Sequence, residues 1–270
     1  MTALLAQAKI NLALVVGPRR SDGKHELVTV YQRIDLADRV ELVAAAALEV
    51  EGFEPDTLVR SALARLAERA GVEPRWRVQI EKLIPVAAGL GGGSSDAAAA
   101  LALANATLPE PLSEAELSQV ARSIGADVPF FLTQGPQLGE AEGAELRSLA
   151  LPQDYALLLL LPEGARKSST AEVYRAFDER QGALDFERRR SMLIETLARL
   201  RCAPDLASLP PHDLASSPLS ERLLALGAFR ADVSGAGPVV YGLFEDRDGA
   251  ASAAERLANV GVTWLAAPAW

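Results

Sequence analysis

Residues 84–104 read IPVAAGLGGGSSDAAAALALA, an apolar strand end running into Gly89, Gly91, Gly92 and Gly93, then Ser94, Ser95 and Asp96, then a run rich in alanine. Few stretches constrain a fold more, because the most flexible residue type abuts one of the best helix formers. Glycine permits positive φ and lets another group approach without a Cβ in the way. A helix is expected from Ser94 to about Ala106, with Ser94 or Ser95 as its cap. Its start leaves unpaired N–H groups and roughly half a positive charge, which together suit an anion and most often a phosphate. The alternative is a tight turn with close helix–strand packing. One glycine would suit the turn; four, at their entropic cost and followed by two serines, favour the phosphate.

The common phosphate loops do not match. No Lys-Ser/Thr follows the glycines, so this is not a P-loop, and serine stands where a dinucleotide fingerprint wants its third glycine. Protein-kinase catalytic-loop and Asp-Phe-Gly motifs are absent as well.

The chain has 270 residues, 49% hydrophobic and 23% charged, the balance of a globular protein with a real core. A net charge of −9 speaks against a nucleic-acid partner, and the Arg188-Arg189-Arg190 cluster reads as a solvated helix start. The single cysteine, Cys202, rules out an internal disulfide, and with only His25 and His212 a His-rich metal site is not expected. YALLLLLP at residues 155–162 is too short for a membrane span and reads as a buried strand. MTALLAQAK lacks the pattern of a secretory signal, so the expectation is a cytoplasmic protein with no membrane partner.

Along the chain, Ile10, Leu12, Leu14 and Val16 alternate with Lys9, Asn11 and Ala13, which predicts a strand with Lys9 and Asn11 side by side. A turn-rich loop follows with Asp22-Gly23 at its tip, then a strand in two pieces broken near Asp35–Asp38. Asp56 is the expected cap of a helix through Ala70 that stops at Gly71. RWRVQIEKLIP alternates into the glycine loop, and Ser113 with Glu116 forms a capping-box pattern for a helix ending at Gly125. A hairpin-like stretch follows ADVPFFL, then a strand at Tyr155–Leu161 and helices near Thr170–Arg180, Arg188–Arg201 and Leu219–Leu226. FRADVSGAGPVVYGLFE reads as a strand pair, and a last helix and strand close the chain. Strands and helices are interspersed without a strict repeat, so the fold class is α+β, with a boundary expected near Leu149–Asp154 that separates 1–150 from 151–270.

Three further features are ambiguous alone. Lys9 on an apolar strand could simply be a snorkelling edge residue. Asp127 in IGADVPFF could be a turn or cap aspartate. SGAGP at Ser234–Pro238 could be a bulge or hairpin turn. Their combination and order are more telling. AKINLAL at Ala8–Leu14, PVAAGLGGGSSDAAAAL at Pro85–Leu101, GADVPFF at Gly125–Phe131 and SGAGPVVYGLF at Ser234–Phe244 closely resemble the GHMP kinase superfamily over nearly the whole chain. SDGKHEL at Ser21–Leu27 and TAEVYRAF at Thr170–Phe177 resemble its branch that acts on a cytidine-diphosphate-linked methylerythritol.

The resemblance implies a two-domain fold, an N-terminal ribosomal-protein-S5-domain-2-like domain and a C-terminal α+β domain with the active site between them. It implies ATP with its phosphates on Pro85, Val86, Ala87, Ala88, Gly89, Leu90, Gly91, Gly92, Gly93, Ser94 and Ser95. Magnesium is expected on those phosphates, with Ser95 loosely considered and the metal ligands otherwise unassigned. Asp127 is implied as the catalytic base that takes the proton of the methylerythritol 2-hydroxyl, and Lys9 as its partner. His25 is implied to read the base, Tyr174 to stack on it, and Asn11, Gly235 and Gly237 to contact substrate. Two departures stand out. Lys24 occupies the place of the family's usual tyrosine, so one aromatic wall is missing unless Lys24 covers the ring or reaches the diphosphate. His212 stands where the family commonly has asparagine, and no role follows for it. The rival readings are another kinase of the superfamily, of the homoserine or mevalonate type, and a non-catalytic nucleotide-binding protein. His25 after Asp22-Gly23 and Tyr174 speak against the first, and the Lys9 and Asp127 pair against the second.

Overall fold

Two long strands open the chain in the computed structural model, which describes residues 2–53, 57–165 and 169–269. Strand β1 (Thr2–Arg19) begins before the expected alternation, and β2 (His25–Ala44) pairs with it. The loop between them turns at Asp22-Gly23 as expected: Gly23 has φ 84°, and the Lys24 N–H donates to the Asp22 carboxylate at 3.0 Å. The expected break near Asp35–Asp38 is absent, and β2 is one strand. Both aspartates serve as anchors instead of turn formers. Asp35 accepts the Ala267 N–H at 2.9 Å, and Asp38 accepts the N–H groups of Leu83 and Ile84.

The remaining elements are β3 (Glu49–Glu51), α1 (Leu58–Ala70), β4 (Trp76–Glu81), α2 (Gly92–Asn105), α3 (Glu114–Ile124), β5 (Gln137–Glu140), β6 (Glu145–Ser148), β7 (Ala156–Pro162), α4 (Thr170–Glu179), α5 (Phe186–Leu197), α6 (Pro218–Ala225), β8 (Arg230–Val233), β9 (Val240–Phe244), α7 (Arg247–Leu257) and β10 (Gly261–Ala266). The cap expected at Asp56 lies outside the described residues. Gly71 ends α1 in the left-handed region, φ 67°, and the Ser113–Glu116 capping box starts α3.

The chain forms two compact units. One comprises Met1–Ala8, Leu36–Val86 and Gly91–Gln134, the other Lys9–Asp35, Ala87–Leu90 and Gly135–Trp270. In the first, β4 pairs antiparallel with the end of β2 (Arg39 opposite Glu81) and parallel with β3. Val59, Ala62, Leu63 and Leu66 of α1 are fully buried, and α1 packs on α2. Ala97–Ala100, Leu101, Leu103 and Ala104 of α2 are buried too. A helix apolar on nearly every side must be a core helix, and its alanines allow neighbours to come close.

In the second unit, the first part of β2 pairs with β5, which forms a hairpin with β6. A separate four-stranded antiparallel sheet has the order β10-β7-β9-β8. The leucine run of β7 is central and buried, as its unbroken apolarity demands. Leu158, Leu160, Val240 and Phe244 on that sheet share a core with Leu223 of α6 and Ala250, Ala253 and Leu257 of α7. A smaller core joins Leu14, Val16, Leu27, Phe177 and Leu214.

The arginine cluster is not simply solvated. Arg189 ion-pairs with Asp213 and donates to the carbonyls of Val16 (3.0 Å) and Gly182 (2.7 Å), while Arg190 pairs with Glu140 at 2.6 Å. Among the described residues, no helix is long and apolar enough to cross a membrane.

Candidate active site

The glycine loop leaves β4 and enters α2 two residues earlier than expected. Gly91 is the N-cap, φ 72°, and no side chain caps the helix among the described residues. The serines therefore lie inside the first turn, with Ser95 buried, and the expected serine cap is not formed. A serine cap needs extended backbone at the cap position, whereas this chain enters the helix from a left-handed glycine. The first backbone bond of the helix runs from the Ser95 N–H to the Gly91 carbonyl at 2.9 Å. The N–H groups of Gly92, Gly93 and Ser94 come before it, outside the helical ladder, and the first turn holds no acidic residue. Residues 91–94 are half-buried, not sealed.

Packing explains several of the glycines. Gly89 has φ 85°, and a Cβ there would collide with the Ser234 carbonyl oxygen. The Ser234 hydroxyl donates to the Gly89 carbonyl at 3.0 Å, and the Val239 N–H donates to that of Ala88 at 3.2 Å. The SGAGP turn is thus docked on residues 87–90, backbone to backbone. Gly235 (φ 57°) and Gly237 (φ 73°) both lie in this turn, and a Cβ on Gly235 would stand 3.1 Å from the Gly89 oxygen and 3.4 Å from Lys9 Nζ.

Lys9 is not a snorkelling edge residue, since it is 3% exposed. Its N–H donates to the Leu90 carbonyl at 2.9 Å, which fixes β1 to the glycine loop. Its Nζ donates to Asn11 Oδ1 at 2.7 Å and lies 5.9 Å from the centre of the Tyr31 ring. Asn11 Nδ2 donates in turn to the Thr29 hydroxyl (2.7 Å), which donates to the Ala13 carbonyl (2.9 Å). The alternation of the strand, read from the sequence, accounts for the Lys9–Asn11 contact.

His25 begins β2, and its Nε2 lies 2.7 Å from Asp178 Oδ1 on α4. A carboxylate only accepts, so Nε2 is the donor here, and the neutral tautomer compatible with this contact has Nδ1 as an acceptor. The His25 and Tyr174 rings stack with centroids 4.7 Å apart, and Phe177 meets His25 edge-on at 5.9 Å. Lys24 is 57% exposed and its Nζ is 3.9 Å from Glu142, in the turn between β5 and β6. Asp127 is half-buried in the turn after α3, just before the buried Val128, Pro129 and Phe130. It belongs to the first compact unit, Lys9 to the second. Pro85 and Val86 also belong to the first unit, Val86 exposed at 61%.

His212 is buried, and its Nδ1 accepts the N–H groups of Leu214 (3.2 Å) and Ala215 (3.3 Å). Its Nε2 meets no partner among the described residues. Burial, reinforced by the charges of Lys9 and Arg230, pushes its pKa down to about 3.

Three residues with no assigned role in the sequence form a network in the first unit, with both carboxylates buried and the lysine partly so. Lys82, after the end of β4, ion-pairs with both Asp38 and Asp96, the latter at 2.7 Å. Asp96 follows the paired serines, and Asp38 sits inside a strand. The only signal in the sequence was a lone lysine at the end of an alternating apolar run. Among the described residues, no three His, Cys, Asp or Glu side chains gather as a metal-binding group.

Comparison with known proteins adds to this geometry. Residues 57–135 match the model of the GHMP kinases N terminal domain, and 185–263 that of the GHMP kinases C terminal. A 4-diphosphocytidyl-2-C-methyl-D-erythritol kinase of Anaeromyxobacter sp. (strain Fw109-5) is 38% identical over 94% of this chain and 86% of its own length. The crystal structure of a 4-(cytidine 5'-diphospho)-2C-methyl-D-erythritol kinase superposes with a TM-score of 0.81 at 34% identity, covering 100% of both chains. A mevalonate kinase crystal structure shares the fold, with a TM-score of 0.77 at 14% identity over 100% of this chain and 99% of its own. At 38% identity to the Anaeromyxobacter kinase over nearly all of its length, and with both family models matched, the chain belongs to the 4-diphosphocytidyl-2-C-methyl-D-erythritol kinases of the GHMP kinase family.

Proposed function

We propose that this enzyme transfers the γ-phosphoryl group of ATP to the 2-hydroxyl of 4-diphosphocytidyl-2-C-methyl-D-erythritol. The observation that carries the reading is Lys9, a buried lysine bonded through its backbone to the glycine loop and through its side chain to Asn11. A buried ammonium beside a phosphate loop suits an enzyme that must neutralise charge on a transferring phosphoryl group. Residues 85–95 receive the ATP phosphates, chiefly through the first-turn N–H groups of α2. Asp127 takes the hydroxyl proton and Lys9 offsets developing charge, with Asn11 placing the substrate. Phosphoryl transfer asks more for positioning than for a strong base, so an aspartate suffices. The matched segments, 57–135 and 185–263, fall either side of residue 150, which supports reading 1–150 as the N-terminal domain and 151–270 as the C-terminal one.

At the cytidine end, the acceptor on His25 Nδ1 complements the exocyclic amino group of cytosine. Tyr174 supplies a stacking face, either opposite His25 or in its place, and Gly235 and Gly237 let the substrate approach backbone. Lys24 faces Glu142 and leaves the base with one aromatic wall. Magnesium, when bound, neutralises phosphate charge. The donor set here, a hydroxyl at Ser95 and no acidic cluster among the described residues, fits an ion held mainly by the nucleotide.

The test is transfer from labelled ATP, with magnesium, to the cytidyl methylerythritol, beside homoserine and mevalonate. Transfer to the cytidyl substrate alone is expected. Transfer only to a control would overturn the roles of His25 and Tyr174, and ATP binding without any transfer would favour a binding protein.

A further inference from the structure

The glycine loop has two ends in the first compact unit, residues 82–84 after β4 and the first turns of α2. Asp38 of β2 reaches the first end. Its Oδ1 accepts the N–H groups of Leu83 (2.6 Å) and Ile84 (2.8 Å), and its Oδ2 accepts from Lys82 Nζ. Lys82 then reaches the second end, donating to Asp96 Oδ2 at 2.7 Å. Asp38 and Asp96 are fully buried. Lys82 also lies close under the helix start, where a Cβ on Gly92 would come within 3.3 Å of its Nζ.

Stability is a weak account of this arrangement. One ammonium cannot neutralise two carboxylates, and buried ion networks are seldom better than apolar packing. Asp96 Oδ1 has no hydrogen-bond partner among the described residues. Burial pushes the Asp96 carboxyl up to about 7 against the pull of Lys82, with Asp38 adding to the rise. Burial would lower Lys82, but Asp96 and Asp38 hold it charged. What the network does achieve is geometric: it joins two stretches whose separation sets where the α2 N–H groups stand.

We propose that Asp38, Lys82 and Asp96 form a buried ionic staple across the glycine loop that presets the first turn of α2 for the nucleotide phosphates. The three are positioning residues, and the inference rests on the phosphate reading of the loop given above. Asp96→Ala is the cleanest cut. It leaves Asp38 and Lys82 charge-balanced, keeps the Leu83 and Ile84 hydrogen bonds, and puts the best helix former into a helix. The full-length enzyme is titrated with MgATP and, separately, with adenosine, which lacks phosphates. The staple predicts MgATP affinity about ten-fold weaker, the equivalent of one modest interaction, with adenosine affinity unchanged. Asp96→Asn should restore most of the loss, because its amide oxygen still accepts from Lys82. Unchanged MgATP affinity in Asp96→Ala, equal loss of both ligands, or no rescue by Asp96→Asn would each overturn the staple. Ser94→Glu separates this from the underlying reading: a carboxylate there suits a helix start but repels phosphate. If Ser94→Glu weakens MgATP while Asp96→Ala does not, the staple alone is wrong. If neither weakens it, the phosphate reading fails, and the staple with it.

Discussion

Replacing His212 with asparagine should flatten the acid side of the stability profile. The neutral ring uses Nδ1 to accept two backbone N–H groups, so a proton on Nδ1 would face donors with a donor. Burial and the charges of Lys9 and Arg230 hold the folded-state pKa at about 3, against an ordinary 6.5. Between those values the unfolded chain binds a proton that the folded chain refuses, so stability is lost as pH falls below the ordinary value. One pKa unit corresponds to about 1.4 kcal/mol, so this group alone removes about 2 kcal/mol at pH 5 relative to pH 7.5. The side-chain amide introduced by His212→Asn could still accept both N–H groups as an Asx turn, and it does not titrate. The assay is urea unfolding of both proteins at pH 7.5 and pH 5. Asp96 and Asp232, whose carboxyls burial raises, push stability the other way over this range, but they are common to both proteins and cancel in the comparison. Parallel pH dependence in the two proteins would refute the reasoning, whatever the offset between them.

Lys9→Ala and Asp127→Ala should each lower kcat on the order of a hundred-fold or more, with far smaller effects on ATP affinity, the pattern of lost transition-state interactions. Near-normal turnover in steady-state assays of both would remove them from catalysis. Lys24→Tyr should lower the KM for the cytidyl substrate several-fold, since a stacked base is worth about 1–3 kcal/mol; an unchanged KM would show that no aromatic wall is missing. Gly89→Ala should cost about 2 kcal/mol or more in unfolding experiments, from left-handed strain and the collision with Ser234. Ala87→Gly, at φ 57° with an alanine already tolerated, should be nearly neutral by comparison.

Features set by nearest neighbours were legible in the sequence. The Lys9–Asn11 contact follows from a two-residue period, the capping box at Ser113 from a four-residue pattern, and the left-handed stop at Gly71 from one glycine. What depends on distant partners was not. Asp35 and Asp38 look like a strand break because aspartate is a poor strand former. They stay in the strand because Ala267 and Lys82–Ile84 supply donors that no local window contains. Asp178 lies on a helix the sequence predicts, but its partner is His25, 153 positions away and outside any local window. The start of α2 was misplaced for a different reason. Serine outranks glycine as a cap only where the backbone is extended, and the conformation at Gly91 is imposed by the loop.

The same loop shows why a glycine count is a poor guide to a ligand. Gly89 is required by Ser234, and Gly92 and Gly93 have Ile84 and Leu58 within 3.0 Å and 3.2 Å of where a Cβ would stand. Three of the four glycines thus have neighbours within the protein, and the turn reading set aside on sequence grounds is correct for them as far as it goes. It does not explain the helix start beyond them. A serine or aspartate cap is worth about 1 kcal/mol over alanine, though only a few tenths over glycine. Here the cap is a bare glycine, the first turn carries no acid, and residues 91–94 stay half-buried. A helix start of this kind, with N–H groups outside the ladder and positive potential, suits an anion. The close packing holds the N–H groups in place, and the phosphate proposed for this loop would complete them.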